Sequence, residues 1–187
     1  MLRSARVAVL LAFAVLGAAI APTVAPGGTQ ACADEALTPT RANAARVRAA
    51  TLCIINAERR RNHLPALRDQ RELRSAAQRH SGEMVRRHFF DHVGPDGSTL
   101  SRRVGRTAYL RGASTWRLGE NLGWNSDQQA TPRTIVGNWM ASPAHRVHVL
   151  QRLYRDVGIG VTPGTPRPTG GAGGTYTAVF GARVQRR

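Results

Sequence analysis

The last third of the chain sets the fold class. Two runs rich in β-branched and aromatic residues, DVGIGV (156–161) and TYTAVFGARV (175–184), read as strands, and TPGTPRPTGGAGG between them reads as a flexible hairpin loop. The long periodic stretches before them have helical spacing instead. Helices at the front and in the middle with strands late indicate an α+β protein rather than alternating βαβ units. A length of 187 residues, 42% of them apolar, suits one domain with one sizeable core, and no internal repeat divides it.

From Thr40, RANAARVRAATLCIINAERRR reads as a helix capped by Thr40, with Val47, Thr51 and Ile54/Ile55 on one side. Asp69 and Glu72 have capping-box spacing at the start of a second helix. There Leu73, Ala76, Ala77, His80 and Met84 fall within about 100° of arc, with Arg71, Arg79 and Arg86 opposite as a solvated face. DHVGPDGST is a turn-rich loop, after which Ser98 or Thr99 caps a short helix. WRLGENLGW alternates too poorly to be assigned as a strand, but its glycines point to close backbone approach in a sheet or at a cleft.

NWMASPAHRVHVL contains an interrupted helix. Serine is a preferred N-cap and proline is favoured at the first helical position, so one helix ends near Met140 and another begins at Pro143. His145 then lies in the first turn of the second helix, where the positive end of the dipole favours neutral imidazole, the form that binds metal or accepts a proton. The same segment also reads simply as a capped helix with a surface histidine.

The amino terminus is a separate matter. MLRSAR leads into VAVLLAFAVLGAAIA, short of the roughly 20 apolar residues a membrane span needs, and Pro22 and Pro26 follow. Residues 1–31 read as a secretory signal, cleaved after Ala31 or Ala33, with no transmembrane segment left in the mature chain and a secreted, extracellular destination. Residues 32–50 are then an amino-terminal segment and the start of the first helix, and 51–187 the folded domain. Cys32 and Cys53 are the only cysteines, an even pair expected to form a disulfide in an exported chain. Thr29, where a lipoprotein signal needs leucine, argues against lipidation.

The formal charge is +16, and all 27 basic residues are arginine. Outside a cell that charge favours anionic polymers, cell-wall phosphates or lipid headgroups, and an arginine-rich wall adhesin is one reading of it. Nucleic acid is not an expected partner, because aromatics are only 5% and do not interleave with the basic residues.

Four ordered stretches, AAQRHSGEMVRRHFFDHVGPDGST, WRLGENLGW, NWMASPAHRVHVL and DVGIGV, together resemble the CAP superfamily. This is the SCP-like extracellular domain of cysteine-rich secretory, antigen 5 and plant pathogenesis-related proteins, here in its bacterial form. The likeness runs from about Leu52 to Val184 and includes Asn56 and Arg59. It implies a three-layer α-β-α sandwich with an open cleft lined by two histidines and two acids. Carried over by motif, these are His92 (FFDH), His145 (SPAHR) and Glu120 (GEN). The place of the second acid falls at Ser142, which has no carboxylate, and His148 replaces an asparagine common in similar bacterial domains.

Two neutral imidazoles and a carboxylate, His92, His145 and Glu120, match a three-ligand Zn²⁺ site with an open fourth position, or a weaker site for another divalent cation. Losing one acid weakens Ca²⁺ more than zinc. The structural alternative is that these groups hydrogen-bond across the cleft and fix it. Among the other histidines, His80 is expected in the core, His148 is placed to add to the site, His88 chelates with His92 only if the helix continues, and His63 has no evident role.

The chain is therefore expected to be a secreted binding module whose cleft, His92, Glu120, His145 and Ser142, takes a divalent metal, a lipid or another small apolar ligand. The alternative is a secreted hydrolase acting on peptide or cell-wall material. Its serine form uses Ser142, His145 and Glu120, although no GxSxG elbow is present. Its metal form uses a zinc-bound water with Glu120 as base.

Overall fold

The computed structural model describes residues 31–167 and 172–186. The signal sequence expected over 1–31 lies outside them apart from Ala31, as does the centre of the Pro/Gly loop, 168–171. The elements follow in the order α1 (Ala44–Arg61), β1 (Arg68–Asp69), α2 (Arg71–Arg87), α3 (Leu100–Gly105), β2 (Ala113–Ser126), a 3-10 turn (Asp127–Gln129), α4 (Pro132–Ala141), α5 (Pro143–Val149), β3 (Asp156–Pro163) and β4 (Gly173–Gln185). The strands make one sheet in the order β1-β3-β4-β2. β4 is antiparallel to both neighbours, and the two-residue β1 runs parallel to β3.

Period-2 alternation along the central strands builds a layer on each face. Val157, Ile159 and Val161 of β3 and Tyr176, Ala178 and Phe180 of β4 pack against Val47 and Ile55 of α1, Ile135, Val136 and Trp139 of α4, and Val149 of α5. Val179 points the other way, to Leu73, Ala76 and Ala77 of α2 and Val104 of α3. The protein is thus an α+β sandwich of helices, sheet and helices. α2 lies almost on the backbone of β3. A Cβ on Gly158 would come within 1.9 Å of the Arg74 nitrogen, and one on Gly160 within 2.3 Å of the Ala77 carbonyl carbon. The glycines of DVGIGV are what allow this approach.

The stripe expected on α2 is buried residue for residue. Its cap differs: Asp69 is taken up in β1, and the Gln70 side chain accepts from the Glu72 and Leu73 amides instead. Thr40 and Asn43 bond each other reciprocally in the turn before α1, but the N-cap position falls on Asn43, which makes no side-chain capping bond, so Thr40 is not the cap expected; Thr99 rather than Ser98 caps α3. The main departure is β2. WRLGENLGW, not assigned to a strand by its sequence pattern, forms the middle of a 14-residue strand paired along its length with β4.

Cys32 and Cys53 are disulfide-bonded, fastening the amino-terminal segment to α1. Arg59, fully buried, ties the end of α1 to the loop before β1 and to the end of α5 by donating to the carbonyls of Pro65, Val149 and Gln151. Asn56 clamps Leu67 through both its amide nitrogen and its carbonyl. Among the described residues no helix is long and apolar enough to cross a membrane.

Candidate functional site

β2 has β4 on one side and a free edge on the other, and its side chains alternate between the helix layers. Leu118 and Glu120 face α2 and α3, whereas Asn121 and Gly123 face α4 and α5. The cleft runs along this edge.

On the α2 side, His88 ends the helix in the left-handed conformation (φ 53°) and turns the chain into Phe90 and the His92 loop. That loop is pinned from inside. The buried His80 ring binds the Asp91 carbonyl through Nε2 at 2.9 Å, and Arg103 of α3 donates to the carbonyls of His92 and Ser98, each at 2.8 Å. His92 Nδ1 then meets Glu120 Oε1 at 2.9 Å, and Arg103 Nη2 reaches both oxygens of Glu120 at 2.7 and 2.8 Å. Both Arg103 and Glu120 are almost wholly buried. The hydrogen bond to Glu120 raises the pKa of His92 above its ordinary value.

On the other side, α4 ends at Ala141 and α5 begins at Pro143, as the Ser-Pro break requires. The cap itself differs from the sequence expectation. Ser142 makes no side-chain capping bond; its carbonyl accepts from the His145 and Arg146 amides, leaving the hydroxyl to line the cleft. Asn121 donates to the His145 carbonyl at 3.0 Å and so fixes the start of α5 against β2. Burial lowers the pKa of His145, and the charge of His92 lowers it further. The neutral imidazole inferred from the helix dipole is thus matched in direction, with desolvation as the leading cause, whereas His92 is drawn the opposite way.

Between the two sides lies a cavity of about 230 Å³, lined by Phe90, Leu122, Trp124, Ile135 and Trp139, with Asn138, Ser142 and His145 at its polar rim. Trp139 donates its indole proton to the Leu122 carbonyl at 2.8 Å, and Phe90 meets Trp124 edge to face. The walls are therefore fixed in shape.

The predicted site residues separate into two pairs. His92 and Glu120 are joined to each other and to Arg103; Ser142 and His145 line the apolar cavity. Among the described residues no side-chain hydrogen bond links Glu120 to His145, or the His145 ring to the Ser142 hydroxyl, as a serine triad needs. No three His, Cys, Asp or Glu side chains among the described residues form a group able to hold a metal. The Glu120 oxygens are already committed to Arg103 and His92, so the donor set does not fit a three-ligand zinc centre. The sequence pattern does not single out Arg103, because Arg102-Arg103 in a short helix reads as solvated. The available signal was Glu120, a carboxylate among apolar residues that requires a cation. His148 turns out to be a packing residue, stacked with Tyr154 and Phe180. His80 is in the core as expected but only half satisfied, Nε2 binding the Asp91 carbonyl while the buried Nδ1 has no partner among the described residues, and the helix ends before His88 and His92 can form a helical pair.

Comparison with known proteins decides the family. Residues 52–180 match the model of the cysteine-rich secretory protein family, CAP. The chain belongs to the CAP family. A curated relative, the uncharacterized protein YkwD of Bacillus subtilis, is 31% identical over 108 residues, covering 57% of this chain and 39% of that protein. The chain therefore matches well under half the length of this relative. Among solved structures, an extracellular protein containing an SCP domain from Bacillus anthracis aligns with a TM-score of 0.58 at 22% identity, covering 80% of this chain and 44% of that one. A cysteine-rich secretory protein from Staphylococcus aureus aligns at 0.54 and 17% identity, over 76% and 40%. These likenesses support the CAP fold and carry no ligand with them.

Proposed function

We propose that this CAP domain is an exported binding module whose cleft along the free edge of β2 takes a small apolar ligand, or the apolar end of a larger one. The observation that carries the reading is the cavity: rigid aromatic walls, three polar groups at the rim and a volume of about 230 Å³. That is below the usual range of ~300–1,000 Å³ for whole small-molecule sites, so it suits one ring or a short alkyl segment. His145 and Ser142 would orient a hydroxyl or carboxyl at the mouth. The hydrolase reading has less support, because Glu120 is held by Arg103 and His92 and does not orient His145. The leader expected from the sequence, the disulfide and the extracellular SCP protein among the structural neighbours support placement outside the cytoplasm.

The test is calorimetric titration with 1-octanol, a neutral probe that the arginines do not attract. Trp124→Ala is expected to weaken binding about tenfold or more, given the worth of a buried aromatic contact. Peptide or wall hydrolysis lost in both Ser142→Ala and His145→Ala would overturn the proposal in favour of an enzyme. Stoichiometric zinc lost in both His92→Ala and His145→Ala would overturn it in favour of a metal site.

A further inference from the structure

Three of the five exposed large hydrophobic side chains among the described residues gather far along the sheet from this cavity. Pairing of β3 with β4 begins at Asp156 opposite Gly181, so beyond that point β4 is paired with β2 alone. The resulting two-stranded ribbon carries Trp116 and Val184, which together with Leu153 from the loop after α5 are half or more exposed. They share a surface concavity of about 360 Å³ with Arg117, Arg155 and Arg183. A neighbouring groove continues the basic surface through Arg155, Arg183 and Arg68.

The acids in that groove are already engaged. Asp156 pairs with Arg68 at 2.9 Å and accepts from Tyr109, and Asp69 faces Arg74 at 3.5 Å. Arg117, Arg155 and Arg183 have no carboxylate partner among the described residues. Arg183 lies over the Tyr109 ring and donates to the Tyr109 carbonyl, and among the described residues the Arg155 guanidinium donates only to the carbonyls of Arg152 and Tyr154. By the strand register Trp116 and Arg183 lie on one face of the ribbon and Arg117 and Val184 on the other, so it is the ribbon's end, away from the ligand cavity, that presents unneutralised positive charge beside exposed apolar groups.

We infer that this ribbon end is a docking surface for an anionic lipid membrane. The arginines match phosphate headgroups, while Trp116, Leu153 and Val184 reach into the interfacial layer, where tryptophan is favoured. A wall-phosphate polymer would satisfy the arginines yet leave the apolar cluster in water, so the combination selects a lipid surface. The inference is independent of what fills the cavity.

The experiment is flotation with phosphatidylcholine vesicles, plain or containing about one part in four phosphatidylglycerol. Every variant keeps the same amino-terminal end, so any contribution of the amino-terminal apolar run cancels. Wild type is expected to bind only the anionic vesicles, more weakly as salt rises. Arg117→Gln should cost about fivefold, and Trp116→Ser with Leu153→Ser about tenfold or more, with unchanged thermal midpoints. All these positions are exposed, and Arg117→Gln tests the inference even if the double variant misfolds. No binding to anionic vesicles would overturn the inference. So would vesicle binding that survives loss of both apolar residues, or equal retention of wild type and Trp116→Ser on a polyphosphate resin as tight as on vesicles.

Discussion

Replacing Arg103 tests whether Glu120 is a structural anion or a free cleft ligand. In the native protein the Glu120 carboxylate, about 2% exposed, takes two contacts from Arg103 at 2.7 and 2.8 Å and one from His92 at 2.9 Å. Arg103→Met leaves His92 as its only charged partner and also releases the His92 and Ser98 carbonyls. Breaking one side of a buried pair costs ~3–5 kcal/mol, which for a domain of this size lowers the melting temperature by about 10 °C. Glu120→Leu should cost a similar amount by stranding Arg103. The double variant Arg103→Met/Glu120→Leu strands neither charge, so it should be more stable than the sum of the single losses by about 2 kcal/mol. Urea unfolding of the four proteins gives the cycle. A cost below about 1 kcal/mol for Arg103→Met, or additivity within about 0.5 kcal/mol, would refute the reasoning.

Three further outcomes are expected. Cys53→Ala opens a loop of sequence separation 21 and should cost ~3 kcal/mol on the chain-entropy model, measured by unfolding with and without reductant; because Cys32 is used, mass spectrometry of any secreted form should find an end at or before Cys32. Gly119→Ala puts a Cβ 2.2 Å from the Tyr154 hydroxyl and 2.6 Å from His148 Nδ1, so thermal unfolding should show a loss of ~1–3 kcal/mol. In an NMR titration His92 should protonate above its ordinary pKa of 6.5 and His80, His145 and His148 below it, with His92→Gln moving His145 upward. The His92–Glu120 pair therefore supports the fold at low pH and fades as pH rises through the raised value, while His80, His145 and His148, whose pKa values desolvation lowers, oppose the fold as pH falls below about 6.5.

Much of the fold was legible because its causes are local. The α2 stripe, the Ser-Pro break and the β3 and β4 runs each show in a window of ten residues or so. β2 was not legible, because an edge strand caught between two helix layers buries Glu120 and Asn121 on opposite faces and so loses the apolar-polar alternation that marks a half-exposed strand. The cap of α2 shifted to Gln70 because Asp69 is spent on pairing beside Val157, a contact far away in sequence. At the site, the motif positions of His92, Glu120 and His145 could be named in advance. Their division into an ion-paired side and an apolar side depends on Arg103, Phe90 and Trp124, which only the folded chain brings to the same edge.

The three tryptophans offer the most direct test of the central claim, because two line the cavity and the third sits on the arginine-rich ribbon. Their indole proton resonances can be followed during titration with benzyl alcohol, a neutral ring small enough to enter. The account predicts saturable shifts at Trp124 and Trp139 that vanish in a variant with the cavity filled, Ser142→Phe, while Trp116 stays in place. Shifts at Trp116 alone, or none at Trp124 and Trp139 up to saturation of the solution, would contradict an apolar ligand cleft at the edge of β2.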